Sequence, residues 1–269
     1  MSVAADDRPP PNRRRTAGPM ATSNRSRSQT RQSPAEPAKP QERTLGRSAW
    51  EWTKSLFIGF LLFLVIRTFV IQTWTVISGS MEDTLLVGDF LVLSKSAYGA
   101  TVPGTDMTLP GYTTPSFGDI VVFRGHHEPI DLVKRLVGTP GDTIAMREGR
   151  LLVNGMPQEE PYVVRTDPGT DAYHPSMDWQ NPFLADPSSV RTYRPTRDNW
   201  GPLVVPPNNF FVMGDNRDQS LDSRYWGFVP MEAIKGKAVV LYFSWDRNAS
   251  SAIPVFGHVR WGRVGDRLR

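Results

Sequence analysis

The run Ser55 to Ile71, SLFIGFLLFLVIRTFVI, is apolar apart from Arg67 and the occasional small or hydroxyl residue, and it limits the possible folds of this chain more than any other stretch. Such a segment reads as a membrane span. Trp50 and Trp52 stand before it and Trp74 after it, as in an interfacial aromatic belt. An arginine at the bilayer centre is costly, but near one end its stem reaches the headgroups, so Arg67 fits a short or tilted span with that residue at the outer face. A cleavable secretory signal, whose apolar core is roughly 7 to 15 residues long, is the competing reading. The very long leader and the absence of a small-x-small site after the run favour an uncleaved anchor. The expected organisation is one transmembrane helix in residues 50–74, with everything after about residue 72 on the outer side.

Charge supports that orientation. The net charge of +4 is uneven, since Arg13, Arg14, Arg15, Arg25, Arg27, Arg31, Lys39, Arg43, Arg47 and Lys54 crowd the start of the chain. Residues 1–49 are rich in Pro, Ser, Arg and Ala, lack apolar periodicity and read as a disordered tail. The Arg13-Arg14-Arg15 cluster is a weak hint of nucleic-acid binding. Basic residues ahead of a span also hold it in the cytoplasm and attract anionic lipid, which explains the tail without a nucleic-acid partner. The chain has no cysteine, so disulfides, thiolate metal sites and a cysteine nucleophile are excluded.

Beyond the anchor the sequence is β-rich. Short apolar or alternating runs occur at 90–93, 119–123, 132–137, 143–146, 151–153, 210–213 and 238–243. Turn signals divide them: Pro140-Gly141, Glu148-Gly149, Asn154-Gly155, Pro206-Pro207-Asn208 and Gly214-Asp215-Asn216. The pattern predicts an all-β, partly closed antiparallel barrel or sheet formed by residues 75–156 and 203–265. Residues 157–202 are polar, proline-rich and scattered with aromatics, as in an inserted ribbon or flap.

Ser78-Gly79-Ser80-Met81 presents hydroxyls just where the membrane ends. Most Ser-Gly-Ser tripeptides are only turns, and a serine becomes a nucleophile only when a neighbouring base takes its proton. Four histidines are present. His126 and His127 read as a surface turn, His174 falls in the flap and His258 near the C-terminus, so none has a strand-and-turn context that would orient it as a base. Lys134 is the better candidate. In Asp131-Leu-Val-Lys-Arg-Leu-Val-Gly138 two cations interrupt an apolar strand, and alternation puts Lys134 and Arg135 on opposite faces. Arginine stays protonated wherever it goes, whereas a desolvated lysine loses its proton. A shift from about 10.4 to near 7 or 8 corresponds to roughly 4 kcal/mol and makes a usable general base. The other reading is a lysine that blocks a sheet edge. The segment Gly214 to Gly227 adds acids, arginines and hydroxyls that form either a salt-bridged knot or the support of such a lysine; it lacks the ligand spacing of a calcium loop.

Four boxes in order, Ser78 to Met81, Gly118 to Phe123, Lys134 to Asp142 and Gly214 to Arg224, resemble the signature boxes of bacterial type I signal peptidases, over residues 57–261. The resemblance implies a Ser-Lys dyad, with Ser80 as nucleophile and Lys134 as general base. It implies that Ser220 orients the lysine amine and that Ser78 joins the Ser80 N–H as oxyanion hole. Arg135, Asp215, Asp222 and Arg224 match supporting ion pairs. Trp74, Val76, Met81, Leu85, Asp131, Leu132 and Val133 match positions that line pockets for small side chains. The chain departs at Ile77 and Asp83, where many members have proline. No cofactor and no metal are implied. The implied activity is cleavage of signal peptides from exported preproteins after Ala-x-Ala junctions, in a single-pass inner-membrane protein working beside the secretion translocon. An inactive membrane-tethered β-domain that binds extended exported segments is the alternative.

Overall fold

Helix α1 (Leu45–Val65) continues into one π-helical turn, Ile66–Val70. Its segment Ala49–Val70, with mean hydropathy 1.8, is the one helix among the described residues long and apolar enough to cross a membrane. The structure, a computed structural model, describes residues 45–99, 105, 107, 109–125, 129–167, 169–246, 248–249 and 256–268. Met1–Ser48 and Ala49–Arg269 form separate units. Most of the expected disordered tail, and the His126-His127 turn, thus lie outside the described residues. At the end of the π turn the Thr68 carbonyl, left without a helical donor, accepts from Lys95 Nζ at 2.9 Å.

The chain passes from helix to sheet without a linker. Strand β1 (Ile71–Thr75) begins at the next residue and pairs antiparallel with β2 (Asp89–Ser94), from Ile71↔Ser94 to Thr75↔Phe90. Residues 71–74, counted with the anchor on sequence grounds, are therefore strand. Two β-branched threonines and an isoleucine in alternation favour that conformation, but five residues give too short a pattern to separate from the helix before them. The remaining strands are β3 (Ile120–Arg124), β4 (Asp131–Gly138), β5 (Thr143–Arg147), β6 (Arg150–Val153), β7 (Met156–Pro157), β8 (Trp200–Val204), β9 (Asn209–Met213), β10 (Val229–Pro230) and β11 (Ile234–Ser244). A short helix, α2 (Ser223–Trp226), precedes β10.

Seven strands form one sheet in the order β1-β2-β11-β3-β4-β9-β10, and four form a second in the order β7-β6-β5-β8. All pairings between these strands are antiparallel. The all-β expectation holds, but the larger sheet is open: β1 and β10 are its two edges and do not pair with each other. The hairpins have ordinary causes. Glu148-Gly149 and Asn154-Gly155 both take positive φ, the geometry of a two-residue turn that matches strand twist, and they join β5 to β6 and β6 to β7.

The segment between β7 and β8 is packed down. It carries 3₁₀ stretches Pro175–Phe183 and Pro187–Arg191. Its Met177 and Leu184 share a core with Val137 and Phe211 of the large sheet and Ile144, Met146 and Leu203 of the small one. One apolar cluster thus joins both sheets and the insertion. A second cluster, with Val76, Met81, Leu85, Leu91, Ile120 and Leu241, lies beneath the turn that carries Ser80. A third covers the opposite face through Phe123, Leu136, Val212 and Val229.

Gly88 closes the loop after that turn. Its φ is +92°, and a Cβ there would meet the Trp245 carbonyl oxygen at 2.0 Å, a backbone atom that cannot step aside cheaply. Gly88→Ala is expected to lower the thermal midpoint of the full chain in detergent by about 5 °C or more. A midpoint within a degree of wild type would show that the loop re-forms around the methyl group.

Candidate active site

The geometry begins with the 3₁₀ turn Gly79–Met81, which lifts Ser80 out of the extended chain following β1. Met81 is its anchor, buried in the cluster beneath. The Ser80 carbonyl accepts from Asn216 N at 3.2 Å, so the turn is tied to the loop after β9 as well. Lys134 approaches from β4, whose register pairs it with Val121 of β3. Its Nζ donates to Ser80 Oγ in a short hydrogen bond. Ser80 is 8% exposed and Lys134 4%. Ser78 Oγ lies 3.4 Å from Ser80 Oγ on the other side.

Burial is what sets the lysine's chemistry. Desolvation pushes the Lys134 pKa down from 10.5 to about 8; the Asp222 and Asp215 charges oppose the shift and the Arg224 charge assists it. Those charges are committed elsewhere. Asp222 accepts from Arg224 Nε and Nη2, both at 2.8 Å, and from Gly214 N at 3.0 Å. Burial would raise the Asp222 pKa, but the Arg224 charge and these hydrogen bonds hold it below the usual carboxylate value. Asp215 accepts a fork from Arg135 at 2.9 and 2.8 Å and the Thr84 hydroxyl at 2.6 Å. Arg135 also donates to the Gly118 carbonyl and lies 3.7 Å over the Tyr162 ring.

Ser220 is buried, and its Oγ has no hydrogen-bond partner among the described residues. It sits against Gly214: a Cβ at that glycine would meet Ser220 Oγ at 2.3 Å and the Ser80 carbonyl at 2.4 Å. Of the expected pocket residues, Trp74, Val76, Met81, Asp131, Leu132 and Val133 line a cleft of about 110 Å³ that ends at Ser80 and Lys134. Leu85 does not line it; it is fully buried in the core behind. Thr75, Ile77 and Ile130 line the cleft and were missed by sequence reasoning. Ile77 is 75% exposed at the mouth. Asp83, the other departure from the proline pattern, has φ +75°, which proline cannot adopt. The two described histidines are elsewhere, with His174 edge-on to Tyr225 and His258 stacked on Trp245. Among the described residues no group of three or more acidic or histidine side chains is placed to hold a metal ion.

A hydroxyl held by a desolvated amine, beside a second hydroxyl and a small apolar cleft, defines a site for serine nucleophilic chemistry. The family model described as "Signal peptidase, peptidase S26" matches residues 49–245. A Signal peptidase I of Pseudomonas aeruginosa is 37% identical over 225 residues, covering 78% of each chain. One from Aquifex aeolicus is 35% identical, covering 70% of this chain and 82% of its own, and one from Leptolyngbya laminosa is 33% identical, covering 80% and 89%. The chain belongs to the peptidase S26 family of signal peptidases.

The crowding at Gly214 gives a test that leaves every polar side chain in place. Gly214→Ala must displace the Ser220 hydroxyl or the Ser80 carbonyl, and an ångström of misplacement costs about a hundredfold in rate. Peptidase activity should fall by at least about that factor while the variant still purifies as a folded chain. Wild-type turnover in Gly214→Ala would mean that Ser220 and the Ser80 turn do not need their observed positions.

Proposed function

We propose that this signal peptidase works by a Ser80–Lys134 dyad at the outer membrane face, cutting exported preproteins after small residues. The Lys134 Nζ to Ser80 Oγ hydrogen bond between two buried side chains is the observation that carries the reading. As neutral amine, Lys134 takes the Ser80 proton while Oγ adds to the scissile carbonyl. The Ser80 N–H and the Ser78 hydroxyl donate to the oxyanion, a stabilisation worth about 3 to 4 kcal/mol per donor. Lys134 then returns the proton to the departing amine, leaving an ester on Ser80. Water attacks that ester with Lys134 again as base, freeing the signal peptide's new carboxyl terminus and the serine.

Ser220 takes its proposed role from the same cycle. Once Ser80 Oγ is esterified it is a poor partner for the lysine, and the unpartnered Ser220 hydroxyl is available to orient the amine. Arg135, Asp215, Asp222 and Arg224 act as positioning ion pairs. The small cleft suits alanine-sized side chains. We place the basic tail in the cytoplasm by its charge, with α1 in the inner membrane and the translocon beside it. The dyad contact favours this over the inactive tethered domain, which has no use for a desolvated lysine on a serine.

Incubated in detergent with a preprotein bearing an Ala-x-Ala junction, wild type should process it with or without EDTA. Ser80→Ala and Lys134→Ala should each be slower by about a thousandfold or more; equal rates for wild type and Ser80→Ala would defeat the proposal.

The pH profile is a separate check. Activity needs the neutral amine, so it should rise about tenfold per pH unit below pH 8 and level off above about 8. Because the folded pKa lies below the unfolded value of 10.5, the unfolded chain binds more protons between them, and Lys134's contribution to stability also rises with pH across that window. A profile still climbing tenfold per unit at pH 10 would mean that the lysine is not desolvated.

A further inference from the structure

The cleft at Ser80 opens into a second, wider space. That space has a volume of about 500 Å³ and shares Trp74, Thr75, Ile77, Ile130 and Asp131 with the cleft. It adds Thr73, Arg124, Pro129 and Lys235. Segments 73–77 and 130–134 run in the same sense toward the serine and the lysine, so the two spaces form one groove along them.

The direction of a substrate along this groove follows from the anchor. Strand β1 begins one residue after the helical span ends, so the Thr73 end of the groove is the membrane end. A signal peptide's apolar stretch lies in the same membrane and precedes the cut in sequence. Its residues upstream of the cut must therefore run from Ser80 back toward Thr73 and Arg124. At about 3.3 Å per extended residue, those beside Ile130 and Asp131 lie about four to six positions ahead of the scissile bond.

Among the described residues the charge there is not balanced. Lys235 pairs with Asp131 at 2.6 Å and stands 6.0 Å from the centre of the Trp74 ring. Arg124 is exposed, lies opposite Asp131 in the strand register and has no ion-pair partner among the described residues. Among the described residues lining this space, two cations thus face one acid whose carboxylate is already taken. We infer that this space is a charge-selective subsite for the signal peptide, favouring an acidic side chain ahead of the cut and opposing lysine or arginine. The inference rests on the proposed function and adds to it a specificity that the small cleft does not supply.

The test uses the full chain in uncharged detergent and three peptides that differ only about five residues ahead of an Ala-x-Ala junction, carrying Asp, Asn or Lys. At low salt the Asp peptide should exceed the Lys peptide in kcat/KM by roughly fivefold, a gap that narrows as salt screens it. Arg124→Glu should reverse the order, and Lys235→Gln should shrink the gap. The same Asp-to-Lys ratio in wild type and Arg124→Glu overturns the subsite. So does a preference that appears only when anionic vesicles replace the detergent, since the cations would then be serving lipid headgroups. Cleavage of the Asn peptide by wild type and not by Ser80→Ala keeps the peptidase reading standing whichever way the ratio falls.

Discussion

The structure depends on keeping one lysine dry. A buried ammonium is unstable unless paired, and it either finds a counter-ion or gives up its proton. Two cations enter the interior side by side from β4, and the fold treats them oppositely. Arg135, which cannot deprotonate, receives a bidentate carboxylate from Asp215, a carbonyl from Gly118 and an aromatic face from Tyr162. Lys134 receives a serine hydroxyl. The nearby acids do not quench it because each already has an arginine: Asp222 holds Arg224 and Asp215 holds Arg135. Breaking either buried pair would strand a charge at a cost of about 3 to 5 kcal/mol. It would also change the charges around the lysine, whose pKa burial lowers.

The inserted segment belongs to this arrangement. Glu160 pairs with buried Arg217, whose Nε donates to the Gly214 carbonyl and whose own carbonyl accepts from Arg224. Val164 and Asn216 form a β-bridge, and the Val164 N–H donates to the Asp215 carbonyl at 2.9 Å. Arg165 reaches both Asp198 and Asp218. The loop from Gly214 to Arg224 is therefore held between the Ser80 turn and the insertion. Its glycine at 214 is required by crowding rather than by an unusual backbone angle.

What could be read from the sequence follows the range of the physics involved. Hairpins were legible because Glu148-Gly149 and Asn154-Gly155 encode their turns within two residues. The longer strands were legible from period-2 runs, and the opposite facing of Lys134 and Arg135 from the same alternation. β8 escaped notice because Trp200-Gly201-Pro202 reads as a breaker, and β7 and β10 are too short to carry a pattern. The open edge of the large sheet depends on which strands meet, a long-range matter that local pattern does not carry. Leu85 illustrates a related point: an apolar residue near Ser80 reads the same in sequence whether it lines the cleft or, as the structure has it, packs in the core behind. Tyr162 and Glu160 carried no local signal at all, because their partners Arg135 and Arg217 are brought to them only by the fold.

The turn around Ser80 shows how such local departures are absorbed. Proline fixes φ near −65°, yet Asp83 occupies φ +75°, a left-handed setting that aspartate tolerates better than most residues. Neighbouring contacts supply the rigidity that a proline would otherwise give: Glu82 accepts from Asn216, Thr84 donates to Asp215, and the Thr84 carbonyl accepts from Arg263. Arg263 and Ser244 also hold buried Asp89, whose Oδ2 accepts from both Arg263 and the Leu86 N–H. The Ser80 turn is thus fixed from the β9 loop on one side and from the C-terminal segment on the other. With β1 starting directly at the end of the apolar helix, the position of Ser80 relative to that helix is set by the few residues from Ile71 to Gly79 and by the contacts that prevent them from shifting.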